Sequence, residues 1–102
     1  MEDYQWAAEL NEVPPGNVKY VQVGGKHILL ANIDEQIYAV DNYCTHSRCL
    51  LHNGKLKGKV ITCPCHFAEF DVTTGEVIAA PAKTSLATYR VRLEGSDILV
   101  AV

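Results

Sequence analysis

Long apolar runs are missing from this 102-residue chain. None approaches the roughly 18 residues that a membrane helix needs, so no spanning helix is expected. No stretch repeats apolar residues at i, i+3 and i+4 over several turns, which argues against an α fold. Internal repeats and low-complexity tracts are absent too. A basic excess is also lacking: nine Lys and Arg against twelve Asp and Glu leave a net charge of −3. Phosphate binding needs the opposite balance, so nucleic acid is not an expected partner. The start of the chain, Met1, Glu2, Asp3 and Tyr4, has neither the basic end nor the apolar core of a secretory leader. A soluble, cytoplasmic protein is the expectation. Cysteine is scarce, and all four copies fall between positions 44 and 65.

What is present suits one small domain spanning residues 1–102. Apolar residues make up 48 % of the chain, enough for an ordinary core. A domain of this size buries only about 60–70 % of its unfolded surface, so a metal or disulfide would add materially to its stability. Residues 4–10 suit either a short strand or a helical turn. Val13, Pro14, Pro15, Gly16 and Asn17 form a turn by composition. Residues 18–23 and 27–33 then read as a hairpin about Gly24 and Gly25, with a third strand at 37–40. Short strands are predicted at 55–57, 60–62, 67–72 and 76–78. Near the end, Tyr89, Val91 and Leu93 alternate with Arg90, Arg92 and Glu94, the period of a half-buried strand. Gly95 and Ser96 turn the chain into a last strand at 98–102. The sum is an all-β antiparallel sandwich or barrel.

The third strand delivers the chain into Cys44, Thr45, His46, Ser47, Arg48 and Cys49. After a further short hairpin come Cys63, Pro64, Cys65 and His66. In a secreted chain four cysteines would suggest two disulfides; with no leader and such tight clustering, metal binding fits better. Thiolates and imidazoles bind zinc, copper and iron clusters. Structural zinc modules begin from paired cysteines two to four residues apart, whereas here each loop gives one Cys and one His. That split suits a centre with two unlike irons, one held by thiolates and one by imidazoles.

The pattern Cys44-x-His46, sixteen residues, then Cys63-x2-His66 resembles the binding signature of the Rieske 2Fe–2S family. Residues 37–41, 70–77 and 89–100 resemble the same family, so the likeness covers almost the whole chain. It is nearest to the small ferredoxins that feed electrons to bacterial ring-hydroxylating dioxygenases. The resemblance implies a Rieske-like antiparallel fold with an inserted two-loop, cluster-binding part at about 42–82 and a basal β part at 1–41 and 83–102. It implies one 2Fe–2S cluster per chain, with Cys44 and Cys63 on one iron and His46 and His66 on the other. It also implies a one-electron carrier, not an enzyme, whose partners are a reductase and a terminal oxygenase or other redox protein. The two imidazoles would be the exit for the electron, with a potential that falls as pH rises. Pro81 falls where the family has a proline loop over the cluster, and Leu50, Leu51 and Phe67 would rim a docking surface.

Cys49 and Cys65 depart from that ferredoxin pattern. They match the cysteine pair that forms a loop-tying disulfide in the Rieske subunits of cytochrome bc complexes. Residues 67–70 lack the hydroxyls those subunits place beside the cluster, so a reduction potential low in the Rieske range is expected. A module of a respiratory, nitrite reductase or oxidase complex, or a structural zinc domain, are the alternatives. His52 is redundant as a ligand and reads as surface or packing, and His27 carries no assigned role. Trp6 and the tyrosines read as packing, and Lys55, Lys57 and Lys59 as a solvated face of a strand.

Overall fold

The computed structural model describes residues 3–45, 49–65, 67–80 and 82–102. The all-β expectation holds: eleven short strands and two single 3₁₀ turns account for the regular structure of those residues. In chain order the strands are β1 (Tyr4–Glu9), β2 (Val18–Val23), β3 (Lys26–Ile33), β4 (Gln36–Asp41), β5 (Lys55–Lys57), β6 (Val60–Thr62), β7 (Glu69–Asp71), β8 (Val77–Ala79), β9 (Thr88–Tyr89), β10 (Val91–Glu94) and β11 (Asp97–Ala101). They form three antiparallel sheets, ordered β1-β11-β10, β2-β3-β4-β9 and β5-β6-β7-β8.

The meander β2-β3-β4 is built on two tight hairpins. Gly24 and Gly25 have φ of 56° and 78°, the left-handed pair that matches strand twist in a two-residue turn. Asp34 and Glu35 make the second such turn with φ of 51° and 70°. Asp tolerates that conformation by local hydrogen bonding, whereas Glu adopts it at some cost.

Strand β3 divides the interior. Its side chains alternate, and the strand is buried on both faces because each face meets a different core. Ile28 and Leu30 join Ala8, Val13, Val21, Val23, Ile37, Ala39, Ile98 and Val100 in the basal core. Leu29 and Ala31 join Val40, Leu51, Ile61, Ala68, Phe70, Val72 and Leu86 in a second core that also contains Cys44 and Cys63. Each fully buried Leu or Ile contributes about 1.5–3 kcal/mol relative to exposure. The two cores thus share one wall.

Several sequence expectations are revised. Residues 4–10 resolve into a strand followed by a 3₁₀ turn at Leu10–Glu12. Trp6 is 56 % exposed and not core packing. A bulge between Trp6 and Ala8 turns Ala7 and Ala8 both inward and leaves the indole outside, donating to Asp97 Oδ1 at 3.1 Å. The strand expected at 67–72 shortens to β7, because Phe67 has φ of 62°, incompatible with an extended strand. The alternating run at 89–94 is two strands, since Tyr89 pairs with Ala39 of β4 while Val91 pairs with Val100 of β11. Leu93 consequently lies exposed on the edge strand β10. Lys55 and Lys57 do sit exposed on the edge strand β5, where charge discourages pairing with other chains. Lys59 is beyond the Gly58 turn and bonds elsewhere.

That bond is to Asp71, which is buried at the end of β7 with Oδ2 3.2 Å from Lys59 Nζ. Its Oδ1 accepts the Thr73 amide (2.8 Å) and hydroxyl (2.5 Å), closing the turn toward β8. Burial alone raises the Asp71 pKa, but the Thr73 bonds and Lys59 together outweigh it and hold the carboxyl below its ordinary value. A depressed folded-state pKa gives stability that is complete above the unfolded value near 3.9 and is lost as pH falls through the folded one. Asp71→Asn is therefore expected to lose about 1–2 kcal/mol at pH 7, with the gap narrowing in acid. Urea unfolding at pH 7 and in acid tests this; an equal gap at both would contradict it.

Candidate metal centre

The first loop is closed at its base by three successive rungs between β4 and the 3₁₀ turn at Leu51–Asn53. The Leu51 amide donates to the Asn42 carbonyl (2.7 Å), Tyr43 bridges Leu50, and the Cys44 amide donates to the Cys49 carbonyl (2.9 Å). Asn42 is fully buried and secures this base. Its amide donates to the His27 carbonyl at 3.0 Å, and its Oδ1 accepts the His52 amide at 2.9 Å. Its Nδ2 donates to His52 Nδ1 at 2.8 Å. The His52 ring stacks on Tyr20 (centroids 5.1 Å), which in turn stacks on His27 (5.8 Å). His52 and His27 thus belong to the support of the loop. Sequence reasoning missed the clamp, because neither the burial of Asn42 nor its partners can be read from its neighbours in the chain.

The second loop follows β6. The Cys63 amide donates to the Ala68 carbonyl at 2.7 Å and the Phe67 amide to the Cys63 carbonyl at 3.1 Å, so the chain turns tightly between β6 and β7. Closing it puts Phe67 in the left-handed region, which costs an aromatic residue about 1–2 kcal/mol. Its ring is 72 % exposed, so little packing offsets that strain. A third segment, residues 82–87, backs the first loop. The Thr45 hydroxyl donates to the Thr84 carbonyl at 2.6 Å, and the Asp41 amide to the Ala87 carbonyl at 2.9 Å. The Tyr89 hydroxyl donates to Asp41 Oδ1 at 2.5 Å. Burial, reinforced by the Asp41 carboxylate, raises the Tyr89 pKa, so the phenol stays protonated as a donor.

The two loops meet. Cys49 and Cys65 are joined by a disulfide with Cα atoms 6.4 Å apart. Cys44 and Cys63 lie outside this disulfide, both 0 % exposed and both in the upper core. The Sγ atoms of Cys49, Cys63 and Cys65 lie within 4.8 Å of one another. Two members of that trio are bonded together, so it is not a metal site by itself. His46, His66 and Pro81 lie outside the described residues. Leu50 and Phe67 are exposed. Leu51 is not: it is wholly buried in the upper core, because the 3₁₀ turn that it opens points it inward.

A domain model for the Rieske [2Fe-2S] domain matches residues 3–90. The chain belongs to this family. Among curated relatives of this Rieske chain is the ferredoxin component of a naphthalene 1,2-dioxygenase system from Pseudomonas aeruginosa. It is 40 % identical over 94 residues, covering 92 % of this chain and 90 % of the relative. Among solved structures, the ferredoxin of carbazole 1,9a-dioxygenase from Nocardioides aromaticivorans IC177 superposes with a TM-score of 0.91. It is 31 % identical, with 96 % of each chain covered. A complex of reduced oxygenase and oxidized ferredoxin in carbazole 1,9a-dioxygenase matches with a TM-score of 0.91 and 28 % identity, over 99 % of this chain and 94 % of that one.

The Rieske cofactor is a 2Fe–2S cluster with two thiolate and two imidazole ligands. The residues present fit it: two buried, unbridged thiols from two different loops converge on one core, while the other two cysteines are already spent on each other. Close approach of the loops depends on Gly54, where a Cβ would collide with the Thr62 carbonyl immediately ahead of Cys63. Gly54→Ala is expected to lower stability by about 1–3 kcal/mol through overpacking. Denaturant unfolding measures it, and an unchanged midpoint would show that the two loops separate freely.

Proposed function

We propose that this Rieske protein is a soluble, cytoplasmic one-electron carrier that takes electrons from a reductase and passes them to a terminal oxygenase. The observation that carries this reading is the convergence of Cys44 and Cys63, buried and unbridged, beneath two loops tied by a disulfide. Similarity to dioxygenase ferredoxin components over 92 % of the chain supports the choice of partner. In this reading Cys44 and Cys63 hold one iron and His46 and His66 the other. Residues 42–82 form the cluster-binding part, and 1–41 with 83–102 the basal part. Once bound, the cluster supplies a one-electron redox change and the chain no bond-making chemistry of its own.

The chain's own residues hold and insulate. Leu51, Ile61, Ala68, Phe70 and Leu86 wall the thiols from water on the core side. Asn42, Gly54 and the disulfide fix the loops so that the ligands need little reorganisation. Leu50 and Phe67, exposed on the two loops, offer apolar contact to a partner, and the family resemblance assigns Pro81 to a loop over the cluster. The Thr45 hydroxyl is committed to the Thr84 carbonyl, which removes one candidate donor to the sulfurs. With few such donors the reduced, more negative state is less stabilised.

The purified protein is therefore expected to show a Rieske EPR signal on reduction. Its potential should fall toward the lower part of the family range of about −150 to +300 mV. Cys44→Ser and Cys63→Ser are expected to abolish the signal. Zinc in place of iron, or a potential near the top of that range, would overturn the assignment or the donor argument respectively. Stopped-flow reduction by a flavin reductase, followed by reoxidation by a Rieske oxygenase, tests the carrier role. A holoprotein that neither accepts nor donates electrons would defeat it.

A further inference from the structure

A groove of about 530 Å³ lies between the edge strand β5 and the second ligand loop. Leu56, Pro64 and Phe67 give it apolar surface. Lys55 and Lys57 are the charged groups among its described lining residues, and no carboxylate is among them. The groove also borders Cys63, a proposed iron ligand. We propose that it is the docking seat for the terminal oxygenase, which presents to it an apolar side chain flanked by carboxylates. This rests on the carrier reading above and adds the chemistry of the partner's face.

Three lysines lie close together in the sequence, and the fold separates their roles. Lys59 is held by Asp71 at 3.2 Å. Lys55 and Lys57 are exposed on β5, and neither forms an ion pair among the described residues. Glu69, next across the sheet from Thr62, accepts the Thr62 hydroxyl at 3.5 Å and does not line the groove. The chain as a whole carries a net charge of −3, so the sign of this groove runs against the general balance. Guarding the β5 edge against pairing needs charge, and glutamates there would also supply it. A positive sign is what a carboxylate-bearing partner requires, because complementary potentials speed encounter and fix orientation.

Phe67 is a second, independent sign. Its positive φ is strained for an aromatic residue, and its ring stands largely in solvent. Strain of this kind persists where function uses it. Glycine would relax the backbone there but would remove the largest apolar side chain of the groove. The ring already lines the same groove as the two lysines before a partner arrives, so docking requires little ordering.

Stopped-flow reoxidation of the reduced holoprotein by a Rieske oxygenase is followed from low to high NaCl. The EPR signal and urea midpoint of each variant are measured alongside. The wild-type second-order rate constant is expected to fall as salt rises. Lys55→Glu/Lys57→Glu should lower it about tenfold at low salt, flatten or reverse the salt dependence, and leave the EPR signal unchanged. Phe67→Gly should lower the rate several-fold while the urea midpoint holds or rises, which a packing role would not produce. An unchanged rate in either variant overturns the proposal, as does a wild-type rate that climbs with salt. Slowing confined to reduction by a flavin reductase assigns the groove to that partner and overturns the proposal too. A wild-type holoprotein that no oxygenase reoxidises defeats the carrier reading and this proposal with it, whereas normal wild-type transfer with unaffected variants defeats this proposal alone.

Discussion

A single buried amide, Asn42, closes the base of the first ligand loop. An amide withdrawn from water costs several kcal/mol unless its hydrogen bonds are replaced. Here backbone and side chain are both satisfied, by His27, Leu51 and His52. The arrangement also has one orientation only. The His52 amide is necessarily a donor, so Asn42 Oδ1 must face it and Nδ2 must face the ring. His52 Nδ1 then faces this amide as its acceptor. Through this clamp the aromatic stack of Tyr20, His27 and His52 holds a loop to which none of them contributes a thiol.

The upper core is the second constraint. Strand β3 serves both cores, so the basal sheets and the ligand loops are packed on opposite faces of one strand. Cys44 and Cys63 sit among Leu, Ile, Ala and Phe side chains in that upper core. The loops that carry them are bound to each other by the disulfide and to residues 82–87 by the Thr45 and Asp41 hydrogen bonds. Rigidity in the site thus comes from covalent and polar ties at its rim and apolar packing beneath it.

Much of the β architecture was legible because its signals are local. Gly24 with Gly25, Gly95 with Ser96 and the β-branched runs each specify a hairpin within a few residues. Legibility failed where a residue's surroundings come from distant segments. The run from Tyr89 to Glu94 has a uniform alternation, yet it changes sheets in its middle because β4 claims one end and β11 the other. Trp6 is apolar enough for a core, and only a bulge excludes it. Leu50 and Leu51 are the same residue type side by side, and the 3₁₀ turn sends one out and the other in. In the site, spacing placed Cys44 and Cys63 on two loops, but nothing in the sequence marked the Asn42 clamp or the contact of Gly54 with Thr62.

The pairing of β1 with β11 has a consequence for how the chain is made. Among the described strands β1 is the first to be synthesised, yet its hydrogen-bonding partner is β11, the last of them. Until β11 emerges, β1 has no neighbour in its sheet and Ile98 and Val100 are missing from the basal core. The meander and both ligand loops, by contrast, are joined by contacts within residues 18–89. Residues 18–89 therefore meet one another across shorter stretches of chain than the one that separates β1 from β11. The long closure between β1 and β11 is thus the costlier contact to form, and the contacts between the two loops the cheaper.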